Sequence, residues 1–240
     1  FPTRRSSDLS IYSMTPSIHD SITKVKGSFE RTKTALLKLK ESGIPLQISC
    51  PIMKQNLDTF RDVITFGEEN GIPVSVDYVI FASYDHSNCN LENRLSLEEV
   101  GQAFDKQKSK EYIEALRKLA KEKLSLGEND PICTICRYYI CASAEGKAFP
   151  CIGWQKKIVG DLNTQSLKDV CENSKEIQDL KRVKRNEFPH CVHCEDRGYC
   201  TVCMMSNSNE SKNNDQFEIN EYHCQVAAMI HNKVDSYDHD

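Results

Sequence analysis

Ten of the twelve cysteines fall between Cys133 and Cys224, and no other feature limits the fold as much. The densest run, CVHCEDRGYCTVC from Cys191 to Cys203, has the spacing C-x2-C-x5-C-x2-C. Cys133 and Cys136 form another C-x2-C pair, while Cys151 and Cys224 stand apart. Thiols this dense are either paired as disulfides in an oxidising compartment or hold metal in a reducing one. Twelve in 240 residues is below the density of a disulfide scaffold. No apolar run of roughly eighteen residues offers a membrane span. The polar first residues lack the apolar stretch of a signal peptide. A cytoplasmic protein with metal-binding thiols and no membrane partner is the expectation. A net charge of -4 gives no bulk attraction to nucleic acid.

The cysteine-poor first half is built from repeated units. ESGIP at Glu41–Pro45 returns as ENGIP at Glu69–Pro73, an offset of 28 residues that suits one strand, one helix and two short loops. Leu46, Ile48, Cys50 and Ile52 alternate as in a strand. Leu57, Phe60, Val63, Ile64 and Gly67 follow at helical spacing, and Gly71 supplies a left-handed C-cap. Val74–Phe81 reads as the next strand. One unit earlier, SIYS predicts a strand, and GSFERTKTALLKLKESG predicts a helix capped by Ser28 and closed by Gly43. Strand–helix repetition of this kind indicates a (β/α) barrel or an open parallel sheet. RLSLEEVGQAF and SKEYIEALRKLAKEKLS predict two more helices, the second with a solvated charged face. FPTRRSSDL, residues 1–9, is similar to the in-frame translation of a sequencing adapter. It is expected to be a scar, with natural sequence missing before Ser10.

In the second half a turn at Glu145–Gly146 predicts a hairpin that returns Cys151 beside Cys136. With Cys133, three thiols then converge and a fourth must come from elsewhere. Cys191, Cys194 and Cys200 are another three, Cys203 is left over, and Cys224 opens a helix. Eight thiols divide into two sets of four, which suit tetrahedral zinc or a cubane iron–sulfur cluster. Cys50, Cys89, Cys141 and Cys171 are expected to be small core residues.

These residues resemble the SPASM domain, the C-terminal module of a group of radical S-adenosylmethionine enzymes. Cys136, Gly146 and Cys151 match one part of its pattern. Cys191, Cys194, Cys200, Cys203 and Cys224 match the rest, with two residues rather than three before Cys203. The resemblance implies two auxiliary [4Fe–4S] clusters, one on Cys133, Cys136, Cys151 and Cys203, the other on Cys191, Cys194, Cys200 and Cys224. It implies an α/β fold: the C-terminal part of a partial (β/α) TIM-like barrel over 10–127, the SPASM module over 128–234 and a polar tail over 235–240. It matches Ser10 to a serine that contacts S-adenosylmethionine. The radical-generating C-x3-C-x2-C triplet of these enzymes is absent from the sequence, and the resemblance puts it, with a third [4Fe–4S] cluster, upstream of Ser10.

The implied activity of the full-length enzyme is hydrogen-atom abstraction from a peptide or protein, as in ribosomal peptide maturation, with a flavodoxin or ferredoxin as electron donor. A sulfatase-maturase-like enzyme is an alternative. This fragment alone is expected to be inactive. No catalytic acid or base is identified; Asp77, Tyr78 and Asp85 lie at or after a strand end, where barrel sites form. Two rivals come from other classes. In a zinc-binding interaction module Cys191, Cys194, Cys200 and Cys203 would share one ion, with His190, His193 or His223 able to replace a thiolate. A dithiol redox protein would use C-x2-C at a strand–helix junction.

Overall fold

The computed structural model describes residues 7–237. Residues 1–6 of the expected scar and 238–240 of the expected tail lie outside that range. The chain divides into two compact units. One comprises residues up to Ile80 with Asn93–Lys108, the other Phe81–Glu92 with Ser109 onward.

The first unit runs β1 (Ser7–Ser10), α1 (Pro16–Thr23), α2 (Ser28–Glu41), β2 (Leu46–Pro51), α3 (Phe60–Asn70), β3 (Val74–Asp77) and α4 (Leu97–Gln107). Its three strands are parallel, in the order β1-β2-β3. Alternation along each strand sorts the side chains. Leu46, Ile48, Cys50 and Ile52 share the face that the core covers, where Ile48, Cys50 and Ile52 are fully buried beside Leu36, Phe60 and Val63. The opposite face is polar. Ser10 is in register with Ser49, and Ser49 with Ser75, so three serines form a row across the sheet.

The repeats predicted from sequence are present, with local differences that have local causes. The first strand lies at Ser7–Ser10 rather than at SIYS. Ile11 N still reaches Ser49 O at 3.1 Å, but Tyr12 N turns to His19 Nδ1 at 3.3 Å and the Ser13 hydroxyl accepts from Thr15 N at 3.0 Å. The start of α1 therefore takes these residues from the sheet. The N-cap of α2 is Gly27 (φ 75°) and not Ser28. Asp20 causes this: its carboxylate accepts from Gly27 N (2.5 Å), Phe29 N (2.9 Å) and the Ser28 hydroxyl (2.9 Å). The strand predicted over Val74–Phe81 stops at Asp77, whose Oδ1 accepts from Val79 N at 2.8 Å and bends the chain. Gly71 (φ 63°) closes α3 as expected.

The second unit begins with the loop Phe81–Glu92 and α5 (Lys110–Leu124), which starts at the capping Ser109. The helix α5 belongs to the second compact unit, where it packs on the turn Glu195–Gly198. A Cβ on Gly198 would lie 3.1 Å from Ala120 Cβ. The charged face of α5 is thus only partly solvated: Arg117 donates to Val234 O at 2.8 Å. The predicted hairpin is β4 (Cys141–Ala142) and β5 (Lys147–Phe149), turned at Gly146 (φ 77°). A third short strand, β6 (Gly160–Asp161), pairs with β5, and Lys147 bonds Asp161 across that pair. Then come α6 (Leu167–Asn173), α7 (Lys175–Arg182), α8 (Pro189–Val192), α9 (Met204–Glu210) and α10 (Glu221–Ser236). Trp154, Val170, Ile177, Leu180, Phe188 and Met204 form the core of this unit. Among the isolated cysteines Cys50 is fully buried, but Cys89 is exposed, against expectation. It lies in the short 3-10 turn Cys89–Asn93, with no buried residue of its own.

Candidate metal centres

The eight singled-out thiols gather in the second unit as two groups. In the first, Pro131 bridges Lys184 and brings the Cys133–Cys136 turn onto the core. Cys136 itself adopts φ 57°, a left-handed conformation that side chains other than glycine seldom hold. Burial pushes its thiol up to about 11, with Lys181 opposing and Cys171, Cys133 and Cys151 adding to the rise. Cys151 follows β5, and its carbonyl accepts from Trp154 N at 2.9 Å. Cys203 is the N-cap of α9. Burial raises its thiol, and the neighbouring thiols Cys151 and Cys133 raise it further. Cys203 thus lies within electrostatic reach of the hairpin thiols, and it also lines a small cavity with Cys191, Cys200 and Cys224.

The second group is built by α8, the turn after it and α10. Cys191 N donates to Phe188 O at 2.9 Å and Cys194 N to Cys191 O at 3.3 Å, which sets the C-x2-C pair on one turn. Asn220 caps α10 and places Cys224 in its first turn. Burial pushes the Cys200 thiol up to about 12, with Cys224 and Cys191 adding, Lys123 opposing and Cys194 adding least. Burial also raises Cys191, again with Cys224 and Cys194 adding. Cys191, Cys194, Cys200 and Cys224 line one cavity of about 80 Å³. Lys123, Arg185, Arg197 and Asp196 line it too.

Chemically, thiols so placed stay protonated together unless a cation takes the place of their protons. Among the described residues no three His, Cys, Asp or Glu side chains form a ready site for a single ion.

The polar tract after Cys203 begins with a buried helix. Ser206, Asn207, Ser208 and Asn209 of α9 are all buried. Apart from Asn209 Oδ1, their side chains find partners, as buried polar groups usually do. The Ser206 hydroxyl lies 3.2 Å from His223 Nε2, Asn207 donates to Gln216 O at 3.1 Å, and Ser208 donates to Asn214 O at 3.0 Å. Asn209 donates to Gly153 O at 3.0 Å and Ala82 O at 3.2 Å. This tract carries the segment from Cys203 to Cys224.

Three side chains around the second cavity have no signal in the thiol pattern: Lys123, Arg185 and Arg197. Lys123 donates to Cys200 O at 3.0 Å and to the Thr201 hydroxyl at 2.9 Å. Arg197 donates to Val192 O. The three cations come from distant parts of the sequence, so spacing alone could not collect them. Ser10, in the first unit, sits at the carboxyl end of β1 on the polar face. It shares that face with Ser49, Ser75 and Asp77.

Residues 133–195 match the SPASM family of iron–sulfur cluster-binding domains. An AdoMet-dependent heme synthase from Methanosarcina barkeri (strain Fusaro / DSM 804) is 23% identical over 212 residues, covering 77% of this chain and 58% of its own length. The solved structure of anSMEcpe with bound AdoMet has a TM-score of 0.65 at 14% identity, over 97% of this chain and 66% of that one. The same protein with AdoMet and a Kp18Cys peptide gives 0.62 at 13% identity, over 97% and 67%. The chain thus spans 58% to 67% of these relatives. Thiol pattern, domain match and fold agree: this is a SPASM-domain protein related to the radical S-adenosylmethionine enzymes.

Proposed function

We propose that this chain is the auxiliary-cluster part of a radical S-adenosylmethionine enzyme that modifies a peptide or protein, as in ribosomal peptide maturation. The partition of the eight thiols carries the reading. Cys133, Cys136, Cys151 and Cys203 would hold one [4Fe–4S] cluster and Cys191, Cys194, Cys200 and Cys224 the other. The clusters, when bound, supply one-electron transfer. The chain's own residues orient the sulfurs, exclude water and fix the local charge. Ser10, in the serine row at the end of β1, would contact S-adenosylmethionine within a partial barrel. That contact and a third [4Fe–4S] cluster belong to the full-length enzyme, with a flavodoxin or ferredoxin as donor.

Iron, sulfide and zinc per chain, measured after anaerobic purification, test this. About eight irons with matching sulfide support two cubane clusters. Zinc without sulfide retires the reading in favour of a structural zinc protein. The zinc module needs Cys203 beside Cys191, Cys194 and Cys200; Cys203 shares a small cavity with Cys191 and Cys200 but also lies near Cys151 and Cys133, which that module leaves unused. A second reading has its own support. The identity to an AdoMet-dependent heme synthase favours heme or a heme precursor as substrate. The likeness to a structure holding a Kp18Cys peptide favours a peptide, and keeps a sulfatase-maturase-like role in view.

A further inference from the structure

Arg185, which lines the cavity of the second thiol group, carries a donor with nothing to donate to. Arg185 Nε is buried and has no hydrogen-bond partner. Such a group is costly, and folded proteins keep few of them. Its position is fixed by the backbone. Arg185 N donates to Asp130 O at 3.1 Å and Asn186 N to Glu128 O at 3.0 Å. Phe188 N then donates to Arg185 O at 2.9 Å, and Cys191 N to Phe188 O at 2.9 Å. A short run of bonded turns thus joins the root of the Arg185 side chain to the first thiol of the group.

The neighbours in the cavity are already engaged. Lys123 is held by Cys200 O and Thr201, and Arg197 by Val192 O. Asp196, the carboxylate of the lining, bonds His231 Nδ1 at 2.8 Å. Besides His190, which is exposed, what remains to face Arg185 in that lining is the sulfur of Cys191, Cys194, Cys200 and Cys224. A guanidinium is always charged, has five N–H donors and cannot accept.

We infer that Arg185 is a hydrogen-bond donor to the sulfur shell of an iron–sulfur cluster held in this cavity, and that it raises the reduction potential of that cluster. The inference rests on the two-cluster reading above. N–H bonds to cluster sulfur and nearby positive charge both favour the more electron-rich reduced state. Arg185 is thus a positioning residue, acting on the cluster and not on the substrate.

The test is a potentiometric titration of the full chain, reconstituted with iron and sulfide and followed by electron paramagnetic resonance. Arg185→Met should lower one of two midpoint potentials and leave the other, at unchanged iron and sulfide. The midpoint that moves should be the one that survives in Cys203→Ala. Unchanged midpoints at full iron content overturn the inference. If Arg185→Met loses iron, Arg185→Lys decides, since it keeps the charge and the stem but lacks the planar Nε–H. A lowered midpoint in that variant supports the role, and an unchanged midpoint overturns it. Iron lost from both variants also overturns it, in favour of a purely structural part. A wild-type chain that takes up zinc and no sulfide defeats the cluster reading first, before any variant is made.

Discussion

Lys123 Nζ lies 3.0 Å from the carbonyl oxygen of Cys200. The same ammonium holds the Thr201 hydroxyl at 2.9 Å, so α5 is fastened to the segment that joins the two thiol groups. Hydrogen bonds to a charged donor are worth about 1.5–3 kcal/mol each. Lys123→Met should destabilise the second unit by about 1–3 kcal/mol and reduce iron retained at the second group. Urea unfolding with an iron assay checks both. Unchanged values would show that α5 is held by packing alone.

Cys203→Ala should remove iron from the first group and spare the second. About half of the wild-type iron should remain. Equal loss from both groups, in a variant with native circular dichroism, would sink the crossed assignment of Cys203.

His19 is 1% exposed, and its Nδ1 accepts from Tyr12 N at 3.3 Å. Burial holds its pKa below the ordinary 6.5, with Asp20 opposing. The folded state therefore favours neutral imidazole. Stability from this residue is full above about 6.5 and is lost as pH falls from there through the folded value. Urea midpoints between pH 8 and pH 5 should slope downward in the wild type and flatten in His19→Asn. An equal slope in both would exclude His19 as the source.

Asp20 acts in a lower window. The Phe29 and Gly27 amides, with the Ser28 hydroxyl and His19 adding less, hold its carboxyl below the usual 3.8 despite opposing desolvation. Its stabilisation is present above the unfolded value and disappears as pH drops through the folded one. Asp20→Ala should lower stability at pH 7 and remove the part of the acid transition below about pH 4. Acid titration by circular dichroism reads this directly.

Gly67 packs α3 onto the start of β3. A Cβ there would come 2.2 Å from Val74 Cγ2 and 2.7 Å from Ile72 O. The valine tip can shift but the carbonyl cannot. Gly67→Ala should cost about 1–3 kcal/mol by overpacking, visible as a lower thermal midpoint. A gain in stability, as expected for alanine in an open helix, would contradict the close approach.

The βα repeats and the hairpin were legible because periodicity, Gly71 and Gly146 are local signals. The thiols were legible because their spacing is. Other features depend on residues far apart in the chain. Asp20 capping α2 is one, and it displaced the reading of Ser28. The position of β1 is another, since His19 and Ser13 draw Tyr12 and Thr15 away from the sheet. The strand β6 is two residues long and has no periodicity to read. The burial of Ser206–Asn209 is settled by partners such as Gly153 O and Gln216 O, which no local window of sequence contains. Arg185 and Lys123 were indistinguishable from surface charges for the same reason.

If Cys203 joins the first group, as proposed, its crossing would also set an order of events. During synthesis the four sulfurs of the first group exist once Cys203 has been made. Those of the second wait until the buried helix α9 and its return loop have been completed and Cys224 has emerged. A nascent chain stalled in that interval would offer a finished site beside a three-sulfur site. On that assignment the asparagines and serines that carry the chain between them would govern timing as well as shape.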